Sequence, residues 1–175
     1  EEIQRGSFKP QCDAWIKCMS RDFSQKMGER GWIGITWPKE YGGQERSFTD
    51  RLVLTEELLR YGAPAAGHWF ADRQIGASLL AYGSEEQRRE FLPQMAKGGI
   101  FFSLGMSEPE AGSDLASLKT RAKEEDDYFI IDGQKVWTSE ALEADYIYIV
   151  ARTDPDAPKH RGISEFIVDL SLSGI

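Results

Sequence analysis

The chain has 175 residues, a hydrophobic share of 41% and a formal net charge of −8. That is enough to bury a core as one domain or two small ones. The acidic balance argues against nucleic acid or an anionic membrane surface as the main partner, and no apolar run approaches the roughly 20 residues of a membrane span. The start, Glu1-Glu2-Ile3-Gln4-Arg5, lacks the basic and apolar regions of a signal peptide. Cys12 and Cys18 stand six positions apart in an expected helix, where they face different directions and form no disulfide. His68 and His160 are far apart and give no metal-ligand pattern. The simplest reading is an intracellular, metal-free protein.

The first half reads as helices. Between Gln11 and Arg30, Trp15, Met19, Phe23 and Met27 recur every four residues, a helical stripe that Gly31 can close. Trp32 to Phe48 reads as an irregular loop pinned by aromatics, with Trp37-Pro38 before and Gly42-Gly43 after Tyr41. Ser47 and Asp50 have capping-box spacing and open a helix that Gly62-Ala63-Pro64 breaks. The next helix runs from Ala65 to Tyr82 and carries His68, Trp69 and Phe70, read as core or interface packing. Ser84 and Gln87 repeat the capping-box spacing. They open a helix to Lys97 that Pro93 should distort or restart, and Gly98-Gly99 marks a boundary.

After Gly99 the period changes from 3.6 to 2. Strands are expected over Phe101–Ser107, Leu118–Lys123, Asp145–Arg152 and Gly162–Asp169, with an exposed loop at Thr153–Arg161. Tyr128–Ile131 and Gln134–Thr138, joined by Asp132-Gly133, read as a hairpin. A helical half followed by an antiparallel β half is an α+β arrangement, with domains over residues 1–100 and 101–175.

The stretch Phe102 to Asp114 begins with strand alternation and ends in turn chemistry, Glu108-Pro109 and Gly112-Ser113-Asp114. It is either an ordinary strand-to-turn junction or a place where free N–H and O–H groups hold a flat polar ligand or a phosphate.

The order of motifs is more specific than any one of them. A helical region ends at Gly98-Gly99. Ser107-Glu108-Pro109-Glu110-Ala111-Gly112-Ser113-Asp114 follows, and then Asp132-Gly133-Gln134-Lys135 leads into Trp137-Thr138-Ser139. Together with Gly31-Trp32…Trp37-Pro38…Tyr41-Gly42-Gly43 and Tyr82-Gly83-Ser84-Glu85-Glu86-Gln87, this resembles the acyl-CoA dehydrogenase family over nearly the whole chain. The resemblance implies an FAD enzyme that oxidises an acyl-CoA thioester to the trans-2-enoyl-CoA and passes electrons to an electron-transfer flavoprotein. It implies a helical domain, a middle β-barrel-like domain and a C-terminal four-helix bundle. The expected assembly is a homo-oligomer or heterotetramer, in a bacterial cytoplasm or a mitochondrial matrix.

Carried over by residue, the resemblance puts Leu104, Met106 and Ser107 along the flavin, with backbone N–H groups near Met106 and the Ser107 hydroxyl on its pyrimidine edge. Trp137 packs on the isoalloxazine, and Thr138 and Ser139 sit near N5. Ser113 meets the pantetheine of the substrate, with Gly112 allowing close approach. Glu108 is read as structural, and Glu110 stands where glycine is common. No residue of this chain is assigned as the catalytic base, which the resemblance places in the C-terminal bundle. The expectation is therefore a fragment that binds FAD weakly and does not turn over alone. Two further readings stay open: an acyl-CoA oxidase or flavin monooxygenase on the same scaffold, and a non-catalytic subunit that completes a site with a partner.

Overall fold

The computed structural model describes residues 2–175. Two compact units are present: one runs to Phe102 and takes in Leu142–Ala144, and the other holds Ser103–Ala141 and Asp145–Ile175.

The first unit is helical. The expected opening helix is two short ones, α1 (Ala14–Lys17) and α2 (Arg21–Glu29), because Cys18 is extended and Ser20 acts as N-cap, its hydroxyl accepting the Phe23 N–H at 3.2 Å. A serine three residues before an aromatic is the signal that the four-residue stripe overrode. Cys12 therefore precedes the helix, and both cysteines are free thiols. Lys39–Tyr41 forms one 3-10 turn inside the aromatic loop, and Trp37 is buried there. A side chain at Gly76 would sit 2.1 Å from the Trp37 ring, so only glycine allows this approach.

Both capping boxes are formed. Ser47 with Asp50 opens α3 (Phe48–Arg60), and Ser84 with Gln87 opens α6 (Glu85–Ala96). The helix through residues 65–82 is α4 (Ala66–Phe70) and α5 (Gly76–Tyr82), joined by a π-helical turn at Ala71–Ile75. Pro93 lies inside an unbroken α6, contrary to expectation. The carbonyl deprived of its donor is that of Arg89, an exposed residue, where water can serve instead. The core of this unit is built from Ile33, Ala65, Ala66, Ala71, Ile75, Leu92, Met95 and Phe101.

The second unit is a five-stranded open sheet of β1 (Phe102–Gly105), β2 (Arg121–Glu125), β3 (Tyr128–Asp132), β4 (Tyr146–Arg152) and β5 (Ile163–Asp169). The order is β1-β4-β2-β3, with β5 also on β4, so β4 is central and the sheet does not close into a barrel. β4 and β5 pair antiparallel from Tyr146↔Asp169 to Arg152↔Ile163. β2 meets β4 in parallel at Arg121↔Arg152, a departure from the antiparallel expectation.

The expected hairpin is displaced by one strand. β2 pairs with β3 from Arg121↔Asp132 to Glu125↔Tyr128, so the two-residue turn is Asp126-Asp127, with Asp126 at φ 53. Aspartate tolerates the left-handed region, which is why this pair can do what Asp-Gly usually does. Gly133 instead packs on Thr120, where a side chain would come within 2.4 Å of the Thr120 hydroxyl. Residues 133–138 form no strand. The alternation of Leu118, Thr120 and Ala122 is borne out, since all three are buried while Lys119 and Lys123 are exposed.

Candidate functional site

Two stretches of the β unit come together. β1 ends at Gly105, where a side chain would press on the Ile147 Cδ1 at 2.9 Å. The chain then leaves the sheet through Met106 and Ser107 and closes a tight turn over Pro109-Glu110. There the Glu108 N–H donates to the Ala111 carbonyl at 2.8 Å and the Ala111 N–H returns to Glu108 O at 3.2 Å. Proline at the second position of a four-residue turn is preset for this geometry. Glu110 does not have a positive φ, so the turn needs no glycine there. From the other side, the Val136 N–H donates to Ser107 O at 2.9 Å.

The residue types at this junction are specific. Met106 is half-buried and packs on the small core of Ala111, Leu118 and Val150. Leu104 and Ser107 are half-buried, and Gly112 and Ser113 are exposed on the loop past the turn. Gly112 has no positive φ, and a side chain there would meet open space, so neither backbone nor packing demands glycine. Trp137 is 89% exposed and sits at φ 59, a conformation that bulky side chains rarely adopt. The Ser139 N–H donates to Trp137 O at 3.0 Å, Thr138 is half-buried and Ser139 is exposed. The structure thus joins the 104–107 stretch to the 136–139 stretch.

Beneath this junction lies a buried ion pair that reasoning from the motifs passed over. Lys135 Nζ donates to Glu108 Oε1 at 2.9 Å, and the two side chains are 6% and 5% exposed. Glu108 also accepts the Lys119 N–H at 2.6 Å and the Thr120 N–H at 2.9 Å. Burial pushes the Glu108 carboxyl up, but the donors of Thr120, Lys119 and Lys135 together outweigh it and hold it at about 2. Reading Glu108 as structural agrees with this: a carboxylate so strongly solvated by protein donors takes up no proton near neutrality. The Glu110 carboxylate lies at the surface against Lys119 Nζ, and Asp114 accepts from Lys159 Nζ at 2.7 Å. Nothing in the sequence around Lys135 marked it as buried, since Gln134 beside it is exposed and no strand forms there.

His68, Trp69 and Phe70 belong to the helical unit's packing. His68 and Phe70 are buried, and Trp69 lies against Trp15 with the Arg73 guanidinium over its ring. Among the described residues no group of three or more His, Cys, Asp and Glu could hold a metal ion, and no helix is long and apolar enough to cross a membrane.

A strand end tied to a loop that carries hydroxyl residues and an exposed indole has groups that can hold a flat polar heterocycle. Residues 3–99 match the family model of the acyl-CoA dehydrogenase N-terminal domain, and residues 103–175 match that of the middle domain. The chain is 45% identical over 157 residues to acyl-CoA dehydrogenase FadE26 of Mycobacterium tuberculosis, covering 88% of this chain and 39% of that protein. It superposes on a structure titled Tcur3481-Tcur3483 steroid ACAD with a TM-score of 0.86 at 44% identity, covering 92% of this chain and 42% of that one. The ChsE4-ChsE5 complex from Mycobacterium tuberculosis matches with a TM-score of 0.83 at 44% identity, over 88% of this chain and 40% of that one. The chain therefore spans about two fifths of the relatives it matches, and over that span it belongs to the acyl-CoA dehydrogenase family.

Proposed function

We propose that this chain supplies the flavin-facing wall of an enzyme that dehydrogenates an acyl-CoA thioester between Cα and Cβ. The observation that carries the reading is Trp137, held at φ 59 and 89% exposed beside a strand end that presents the Ser107 hydroxyl. An aromatic in that conformation has no packing role in the unit that bears it. The unforced glycine at position 112 points the same way, because it leaves room for a ligand to approach the backbone.

The residues present fit FAD. Backbone N–H groups near Met106 and the Ser107 hydroxyl would bind the pyrimidine edge, beside Leu104. Trp137 would give a flat apolar plate, and Thr138 and Ser139 would present donors on the same side. When bound, FAD supplies the acceptor for the hydride from the acyl β-carbon. Donors fixed along an edge that gains negative charge stabilise the reduced state without reorganising. Ser113, with Gly112, would hold the pantetheine arm and orient the thioester. The α-proton goes to neither Glu108 nor Glu110. The first is spent on three donors, and the second is an exposed partner of Lys119. The base is proposed to come from chain outside these 175 residues, with an electron-transfer flavoprotein as electron acceptor in a bacterial cytoplasm or a mitochondrial matrix.

The likeness to the Tcur3481-Tcur3483 steroid ACAD favours a steroid-linked acyl group, and the likeness to the ChsE4-ChsE5 complex favours an assembly of two different subunits. Anaerobic addition of an acyl-CoA to the FAD-loaded full-length protein tests the reading. Loss of the flavin's visible colour with formation of an enoyl-CoA is expected, more completely with a steroid-linked acyl-CoA than with a straight chain. A protein that takes up FAD but keeps its colour with every acyl-CoA contradicts the proposed reaction.

A further inference from the structure

The proposed chemistry makes no use of the Lys135–Glu108 pair, yet this pair occupies the point where the two stretches of the site meet. Lys135 Nζ donates to Met106 O at 3.0 Å as well as to Glu108 Oε1. One residue on, the Val136 N–H donates to Ser107 O. Glu108 is itself anchored by the amides of Lys119 and Thr120, so three segments converge on one carboxylate: 106–108, 119–120 and 135–136.

Desolvating a lysine and a glutamate is costly, so a buried pair is weak evidence for a role in stability alone. An apolar pair cannot fix the direction of a carbonyl or the spacing of two loops. Short charge-assisted hydrogen bonds do both. The Met106 carbonyl also belongs to the peptide whose N–H is that of Ser107. An ammonium on that oxygen polarises the peptide and strengthens the Ser107 N–H as a donor.

We infer that Lys135 and Glu108 are positioning residues. Their ion pair sets the spacing between the Met106-Ser107 strand end and the Trp137-Thr138-Ser139 segment, and it strengthens the amide that faces the flavin. The inference rests on the flavin reading above. Neither side chain touches substrate; each acts through the backbone it holds.

The test uses the full-length protein with FAD as probe. Lys135→Met is compared with Glu108→Gln by FAD titration, by the flavin's reduction potential and by hydrogen exchange of the Val136 amide. Lys135→Met is expected to weaken FAD binding on the order of 10- to 100-fold, by analogy with the loss when partners that orient a metal's ligands are removed. It should also lower the reduction potential and speed exchange at Val136. Glu108→Gln should loosen binding as well but shift the potential less, because Lys135 stays on the Met106 carbonyl. A Lys135→Met protein that folds with unchanged FAD affinity, potential and Val136 exchange overturns the inference. So does one that is merely less stable, with the flavin properties intact. Should Lys135→Met not fold, Lys135→Gln, which retains a donor, is read by the same outcomes. If the unaltered protein takes up no FAD, the flavin reading fails on its own account. The spacing then stands or falls on Val136 exchange alone, faster in the variant or unchanged.

Discussion

Among the described residues both units bury polar groups, and they satisfy them in different ways. In the helical unit, His68 Nδ1 meets Ser24 Oγ at 2.8 Å and Asp72 Oδ1 accepts the Gly34 N–H at 2.9 Å. Burial, reinforced by the nearby Arg73, pushes the imidazole down to about 4, so His68 is neutral in the fold. Burial pushes Asp72 up against the pull of Arg51, Arg73 and the Gly34 amide. In the β unit the charges are kept and paired, with Glu108 ionised down to about pH 2. In the helical unit a neutral imidazole, and a carboxyl whose ionisation burial disfavours, tie helices to a loop. A paired charge is used where two backbone stretches must be held at a fixed spacing.

The largest expected effect breaks the charged centre. Glu108→Ala strands Lys135 in a buried site and orphans two backbone amides, so a loss of about 3–5 kcal/mol in unfolding free energy is expected from denaturant titration. Replacing both residues by apolar ones should not recover this. The Lys119 and Thr120 N–H groups stay unpaired whatever fills the space.

The buried imidazole of the helical unit should weaken the fold in acid. It binds a proton more weakly in the fold than in the unfolded chain, so the stability it confers is complete above about pH 6.5. That stability drains away as the pH falls to about 4, reaching about 3 kcal/mol for a shift of this size. Unfolding measured across that window should show the slope, and His68→Gln should flatten it. Glu108 adds its own loss only below the ordinary glutamate range, between about pH 4.5 and 2.

Asp72→Ala, which leaves the buried Gly34 amide without an acceptor, should cost about 1–3 kcal/mol. Asp72→Asn should cost much less, because an amide oxygen can still accept and carries no charge to desolvate. The smallest effect sharpens the contrast between buried and exposed ion pairs. Glu110→Gln removes the surface partner of Lys119 and should leave the thermal midpoint unchanged.

Much of the fold was legible wherever a signal was local. Ser47 with Asp50 and Ser84 with Gln87 started helices as their spacing requires, and the alternation at Leu118, Thr120 and Ala122 gave the buried face. Non-local competition defeated the rest. Asp132-Gly133 carries the stronger turn chemistry, but register with β2 gave the turn to Asp126-Asp127, and Thr120 took Gly133 as a packing surface. The π-helical turn at Ala71–Ile75 left no mark in the periodicity, because it inserts between two well-formed helical stretches. At the candidate site, motif order singled out loop residues, since glycines, hydroxyls and a tryptophan announce themselves by type. The pair beneath them stayed hidden. Lysine and glutamate are surface residues by default, and only the meeting of segments 27 positions apart reveals that these two are buried.

The placement of Trp137 against the flavin is the claim on which both the function and the positioning role depend. Fluorescence of the bound flavin in the full-length protein, compared between the unaltered chain and Trp137→Leu, tests it most directly. An indole stacked on the ring quenches flavin emission, so the variant should bind FAD more weakly and emit more strongly per bound flavin. Equal emission and equal affinity in the two proteins would contradict the account.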